Sequence, residues 1–149
     1  MNREIIRPLL QEVYQDDPWK MLICCILLNL THRRQVDKIR DKLFTRYPTA
    51  TQMAFAADDE LSEMLKPLGF YNKRAVTLKR MSLEYVQGFT DVDTLYGVGK
   101  YATDSWEIFQ NNNTDVQPED DVLKEYLRIR NNGALRRIQT HAGTVAFRR

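Results

Sequence analysis

Residues 19–30 are apolar at almost every position, and this run constrains the fold more than any other feature of the sequence. Asp17 and Pro18 precede it, and an N-cap aspartate followed by proline at the first helical position predicts the start of a helix. A helix that is apolar on every side has to be covered on every side. We therefore place it at the centre of the core. Its uninterrupted apolar part, 21–28, is too short to span a bilayer, so we expect no membrane association.

The rest of the chain also has mainly helical signals. Apolar residues at helical spacing predict helices over 3–14, 32–47, 58–65, 73–86 and 100–109, and a last helix from 118 to about 129. Strand signals are weak, so the predicted fold class is all-α. The length of 149 residues fits one domain. We predict a single compact helical unit over 1–130 and a loosely ordered basic tail over 131–149, where the periodicity is lost.

The charge is divided unevenly between these two parts. Residues 1–127 hold 16 Lys and Arg against 20 Asp and Glu, a net charge of −4, whereas 128–149 hold six Arg and no acid. The tail alone could therefore attract phosphate.

Cysteine and histidine are too few for the common metal centres. Cys24 and Cys25 are adjacent, which makes them poor disulfide partners on a helix, and the only histidines are His32 and His141. A Cys/His zinc site or an iron–sulfur cluster is nearly excluded, and no metal site is predicted. The N-terminus has no extended apolar region typical of a secretory signal, so we expect an intracellular, reducing location.

Residues 95–100, Leu-Tyr-Gly-Val-Gly-Lys, form the first candidate functional motif. Gly97 and Gly99 allow a tight turn around Val98, and the following helix presents free amides that favour an anion. Lys100 would add a charge-assisted contact with phosphate. The alternative is that the turn only connects two helices.

Asp120 is the second candidate, because it follows Pro118 and Glu119 at the start of the last helix. An acid at this position commonly caps free amides and interacts with the helix dipole. The functional alternative is a carboxylate that stabilises developing positive charge or activates water.

Taken together, these motifs resemble the helix-hairpin-helix DNA glycosylase superfamily. The similarity is greatest to the glycosylase domain of thymine glycosylases that carry a methyl-CpG-binding domain, and it covers about residues 8–127. The matching segments keep the same order and near-equal spacing: 17–20, 28–29, 31, 47–48, 65–69, 71, 74–75, 97–101, 104–105, 108–109 and 118–120. The resemblance implies an active site in the cleft beside the hairpin and the helix starting near Asp120.

The resemblance also implies roles for three residues around the reaction centre. Asp120 aligns with the catalytic aspartate, and Asp121 is the second choice. Tyr101 aligns with a tyrosine of the base pocket and stands where lyase-active relatives have a lysine, so no Schiff base can form and no lyase activity is expected. Gln11 matches a pocket glutamine whose amide can pair with a flipped pyrimidine. The alternatives are a core aromatic for Tyr101 and a solvated side chain for Gln11.

Further residues are expected to contact DNA. Phe70 matches a leucine that fills the gap left by a flipped nucleotide, or else it is ordinary loop packing. Leu30 replaces an arginine of the relatives, and nearby polar and basic residues could compensate. The remaining predicted contacts are Thr31, Arg33, Arg34, Gly97, Val98, Gly99 and Lys100.

The resemblance implies a monofunctional glycosylase of base excision repair that removes thymine or uracil opposite guanine from double-stranded DNA. It would act as a monomer on genomic DNA, in a nucleus or a bacterial cytoplasm. No cofactor is expected, although family hairpins often hold a monovalent cation. The alternatives are a catalytically silent DNA-binding module, a glycosylase for another base such as adenine, and a helical protein-interaction domain, which would leave the dispersed matches unexplained.

Overall fold

A computed structural model describes residues 5–140 of the chain, with side chains through residue 133. Within that range the fold is all-helical and contains no strand, as predicted. The eight α-helices are α1 (Leu10–Val13), α2 (Pro18–Leu28), α3 (Arg33–Arg46), α4 (Ala50–Ala54), α5 (Asp58–Leu65), α6 (Tyr71–Gln87), α7 (Lys100–Phe109) and α8 (Asp121–Thr140). Two short 3-10 helices, Lys66–Leu68 and Val92–Thr94, complete the order.

Helix α2 forms the centre of the core, as its sequence requires. The side chain of Asp17 accepts a hydrogen bond from the amide of Lys20 and caps the helix, with Pro18 at its first position. Residues 21–27 are all buried. Helices α1, α3, α6 and α7 pack against α2, and α4 and α5 pack against α6. No helix in the described part of the chain is long and apolar enough to cross a membrane.

Three helices were missed or differ from the predicted bounds by more than two residues. Helix α1 begins at Leu10 rather than at residue 3, because Pro8 lacks an amide hydrogen and disfavours helical geometry before it. The short helix α4, capped by Thr49, was missed because five residues show too little periodicity. Helix α8 runs to Thr140, beyond the predicted end near residue 129, although Asn and Gly at 131–133 favour an earlier end.

The predicted division at residue 130 therefore falls within a helix. That residues 131–149 act as a separate basic tail stays a prediction, and 141–149 lie outside the described residues.

Candidate active site

A cleft of about 630 Å³ lies where the end of α2 meets α6, α7 and the start of α8. Its wall contains Leu30, Phe70, the hairpin, Tyr101 and Asp120. The structure thus brings Leu30 and Asp120, which are 90 positions apart in the chain, to one cavity. Cys25, on α2, also lines this cleft.

Asp120 both caps α8 and lines the cleft. Its Oδ2 accepts a 3.0 Å hydrogen bond from the amide of Leu123, and its carbonyl accepts one from the amide of Lys124. The capping interpretation is therefore confirmed, because the Asp120 side chain accepts a hydrogen bond from the first turn of α8. It does not compete with the functional one, because the hydrogen bond from the amide of Leu123 fixes the orientation of the carboxylate at the edge of the cavity.

Tyr101 lies on the first turn of α7 and is connected to a buried polar network. Its hydroxyl accepts a 2.8 Å hydrogen bond from Nε2 of Gln11, which also donates to Oγ of Ser105 at 3.0 Å. Gln11 is only 2% exposed, so the solvated alternative is wrong. Both hydrogens of its amide nitrogen are used within the protein, and Gln11 stands behind Tyr101 rather than in the lining of the cleft.

The hairpin has the tight geometry that its glycines predict. Gly97 has φ +80°, and a Cβ there would lie 2.4 Å from Cγ2 of Thr77 on α6. The amide of Val98 donates to the carbonyl of Leu95 at 3.1 Å, and Val98 itself is buried. Gly99 is extended and forms the N-cap of α7. Glycine is thus required at 97 by conformation and by close packing.

Lys100 connects the hairpin with the segment that leads to Asp120. Its Nζ lies 2.9 Å from Oδ2 of the buried Asp104 and donates to the carbonyl of Gln117 at 3.1 Å. Lys100 also lines the cleft.

Two exposed apolar residues stand at the cleft, and both have left-handed backbone conformations. Leu30 has φ 61° and is 82% exposed, and Phe70 has φ 48° and is 67% exposed. Because Phe70 is exposed, ordinary loop packing does not describe it.

The other predicted DNA contacts lie around a neighbouring depression of about 380 Å³, which Leu30 also lines. Thr31, Arg33 and Arg34 all line it. Arg33 is held by Asp37 at 2.9 Å and donates to the carbonyls of Ile6 and Pro8. It therefore fixes the segment before α1 and does not enter the larger cleft.

Arg74 is a cleft residue that was not predicted from the sequence. It is 8% exposed and binds the turns on both sides of the cleft through four hydrogen bonds. The signal was an arginine on the apolar face of α6, next to Ala75 and one turn before Leu78, where a charged side chain needs buried partners.

Metal ligands do not cluster in the described residues: no group of three or more His, Cys, Asp or Glu side chains could hold an ion there.

Comparison with known proteins relates this chain to DNA repair proteins. The sequence model for HhH-GPD superfamily base excision DNA repair proteins matches residues 23–142. The Methyl-CpG-binding domain protein 4-like protein of Arabidopsis thaliana is 42% identical over 127 residues, which cover 82% of this chain and 28% of that protein. The thymine/uracil-DNA glycosylase of Pyrobaculum aerophilum is 35% identical over 94 residues, which cover 58% of this chain and 41% of that one.

A solved structure has the same fold. It is the structure of a thermostable thymine-DNA glycosylase, and it superposes with a TM-score of 0.60 at 23% identity, covering 70% of this chain and 61% of that chain. The matches to the two curated relatives span only 28% and 41% of their lengths.

Proposed function

The chain belongs to the HhH-GPD superfamily of base excision DNA repair proteins, and we propose that it is a monofunctional DNA glycosylase acting on thymine or uracil mispaired with guanine in duplex DNA. The observation that carries the proposal is the shared cleft of Asp120, Tyr101 and the hairpin glycines. The similarity to a thymine/uracil-DNA glycosylase supports the choice of base.

Asp120 is the proposed catalytic residue. As the N-glycosidic bond breaks, the base leaves with the bonding electrons and positive charge develops at C1′ of the sugar. A carboxylate already oriented by the amide of Leu123 stabilises that charge better than water would. It also helps to position the water whose oxygen becomes the new hydroxyl oxygen at C1′, and the proton that this water loses balances the electron pair on the released base.

Tyr101 is proposed to line the base pocket. A phenol carries no amine and cannot form a Schiff base with C1′, so the product is an abasic site in an uncut strand. Gln11 holds the Tyr101 hydroxyl from behind, which makes its proposed contribution to the base pocket one of positioning.

The target nucleotide has to leave the helix before it can enter the cleft. Extrusion costs a few kcal/mol and is least costly at a mismatch, which supplies part of the selectivity. Phe70 is proposed to occupy the gap, with Leu30 beside it. The hairpin residues Gly97, Val98, Gly99 and Lys100, together with Thr31, Arg33 and Arg34, are proposed to contact the DNA backbone.

The proposed enzyme works as a monomer on genomic DNA. Cys24 and Cys25 are the chain's only cysteines, so a cluster held by four cysteines of this chain is not part of the proposal. A monovalent cation at the hairpin stays a prediction, and no step depends on it.

The test is a single-turnover assay on labelled duplexes containing G·T, G·U or G·C, each analysed with and without alkali. The unchanged protein is compared with Asp120→Asn and with Asp121→Asn, a matched control because Asp121 is the exposed neighbour on the same helix. We expect strand breaks only after alkali, only from G·T or G·U, and none with Asp120→Asn.

Two other results would contradict the proposal. Strand breaks without alkali would show a lyase nucleophile other than Tyr101. Duplex binding without any base release would favour the catalytically silent module. For such a module, log K falls linearly with log salt concentration, with a slope of about −0.9 for each phosphate contacted.

A further inference from the structure

Arg74 is a buried arginine on α6 whose guanidinium contacts two separate turns. Nε donates to the carbonyl of Gly69 at 2.8 Å. On the other turn, Nη2 donates to Oγ1 of Thr31 at 2.7 Å and to the carbonyl of Asn29 at 3.3 Å, and Nη1 donates to the carbonyl of Leu27 at 3.3 Å. One side chain therefore ties together segments more than 35 residues apart.

Each of these turns presents one exposed apolar residue. Leu30 lies between Asn29 and Thr31, and Phe70 directly follows Gly69. Both have positive φ, which residues with a Cβ adopt rarely and keep only where the surroundings fix the backbone. The contacts of Arg74 on the adjoining peptide groups supply that fixation.

A purely structural role would explain only some of these bonds. The carbonyls of Leu27 and Asn29 lie at the C-terminal end of α2, where any cation is favourable. The bond to Gly69 reaches the opposite turn and does nothing for α2. A guanidinium has five donors in a rigid plane, so it can hold acceptors on both turns at fixed positions, whereas a lysine cannot.

We propose that Arg74 is a positioning residue that fixes Leu30 and Phe70 relative to each other, so that both enter a mismatched duplex as one rigid unit. The inference rests on the proposed function, because it assumes that the cleft receives an extruded nucleotide. It adds that opening of the duplex depends on a buried residue that acts through the two turns it connects.

Duplex opening can be measured without chemistry. A G·T duplex carries 2-aminopurine next to the mismatched thymine, and its fluorescence rises when stacking is lost. Every protein contains Asp120→Asn, so the strand stays intact. The variants are Arg74→Met, which keeps the aliphatic stem, and Thr31→Val, which removes one acceptor. Ser82→Ala is the matched control, because Ser82 lies on α6 with Arg74 and its hydroxyl accepts a buried hydrogen bond from Nε1 of Trp19 on α2.

We expect Arg74→Met to reduce the fluorescence rise about 10-fold at saturating protein, Thr31→Val to reduce it less, and Ser82→Ala to leave it unchanged. Because Arg74 acts through the two apolar residues, Arg74→Met should cause no further loss in a Leu30→Ala/Phe70→Ala background. Thermal melts by circular dichroism show whether Arg74→Met folds. If it does not, Thr31→Val is measured in the same double-alanine background, where a loss that acts through Leu30 and Phe70 disappears and a lost DNA contact does not.

An unchanged rise with the folded Arg74→Met protein would overturn the inference, as would an equal loss with Ser82→Ala or an additive loss in the double-alanine background. A parent protein that gives no rise would also overturn it. A failure of the proposed function would be seen in a separate experiment, in which the protein without substitutions releases no base from G·T or G·U.

Discussion

The side-chain amide of Gln11 donates a 2.8 Å hydrogen bond to the hydroxyl of Tyr101, which joins α1 to α7 across 90 residues of sequence. The same amide nitrogen donates to Ser105, so one buried side chain holds two groups of α7. The orientation of Tyr101 toward the cleft therefore depends on a residue outside it.

Gln11→Leu should lower both stability and base excision. It leaves the hydroxyls of Tyr101 and Ser105 without their donor, which costs about 1–3 kcal/mol in the free energy of unfolding. Tyr101→Phe removes only one partner, and the two changes should be non-additive because they share one bond. Urea unfolding and single-turnover rates of both single variants and the double variant test this. Strictly additive effects would contradict the coupling.

Substitutions of Asp120 should affect the stability of the protein and its excision rate differently. Asparagine caps helices about as well as aspartate, so Asp120→Asn should unfold within about 0.5 kcal/mol of the unchanged protein, whereas Asp120→Ala should lose about 1 kcal/mol. Both should reduce the excision rate by about 100-fold or more, because each removes the negative charge. Thermal melts beside single-turnover rates provide the comparison. An active Asp120→Asn would limit Asp120 to its capping role.

The helices that position the cleft follow from local sequence patterns. The cap at Asp17-Pro18, the apolar run of α2 and the start of α7 at Lys100 are all visible as spacing or cap residues. Only the family resemblance grouped Tyr101, Asp120 and the hairpin as one site, because no local pattern relates residues so far apart in the sequence. Arg74 was missed since its partners are mainly backbone carbonyls of distant turns, and carbonyl positions have no signature in side-chain identity.

Lys100→Met should weaken DNA binding in a salt-dependent way. Its ammonium has three hydrogens, and Asp104 and the carbonyl of Gln117 engage it through two contacts, which leaves one donor for a phosphate. Loss of one phosphate contact lowers the slope of log K against log salt by about 0.9. Lys79→Met is the control, because Lys79 also pairs with an aspartate, Asp58, but does not line the cleft. Equal slopes for all three proteins would limit Lys100 to its contacts with Asp104 and Gln117.

Gly97→Ala should destabilise the hairpin, and Gly99→Ala should not do so to the same degree. A left-handed backbone costs a residue with a Cβ about 1–2 kcal/mol, and the new methyl would also collide with Thr77. At Gly99 the backbone is extended and the added Cβ meets nothing within 4 Å, so only about 0.5 kcal/mol of capping is lost.

A second substitution separates the two causes of the stability loss in Gly97→Ala, the collision with Thr77 and the positive φ. Thr77→Ser removes the Cγ2 atom that the new Cβ would meet at 2.4 Å. It should recover the collision part of the loss in a Gly97→Ala background and leave the conformational part. Chemical denaturation of the four proteins measures both parts. A full recovery would show that the positive φ of Gly97 costs alanine nothing.

The buried thiols should make the protein less stable at alkaline pH. Burial, the largest cause, raises the pKa of Cys25 from 9.0 to about 12, with a further rise from the charge of Asp120 and an opposing hydrogen bond from Ser105. Burial also raises the pKa of Cys24. The unfolded chain therefore loses these protons first, and the stabilisation is complete below pH 9 and decreases as pH rises toward 12.

The expected loss is about 1.4 kcal/mol per pH unit for each thiol above its unfolded pKa. Cys25→Ala removes one titrating group, so its free energy of unfolding should fall less steeply between pH 9 and 10.5, whatever its value at pH 7. Guanidinium titrations at several pH values measure the two slopes. The unchanged protein should also resist thiol reagents until it is denatured, because almost no thiolate forms while the pKa is raised. Parallel slopes, or rapid labelling of the folded protein, would contradict this account of Cys25.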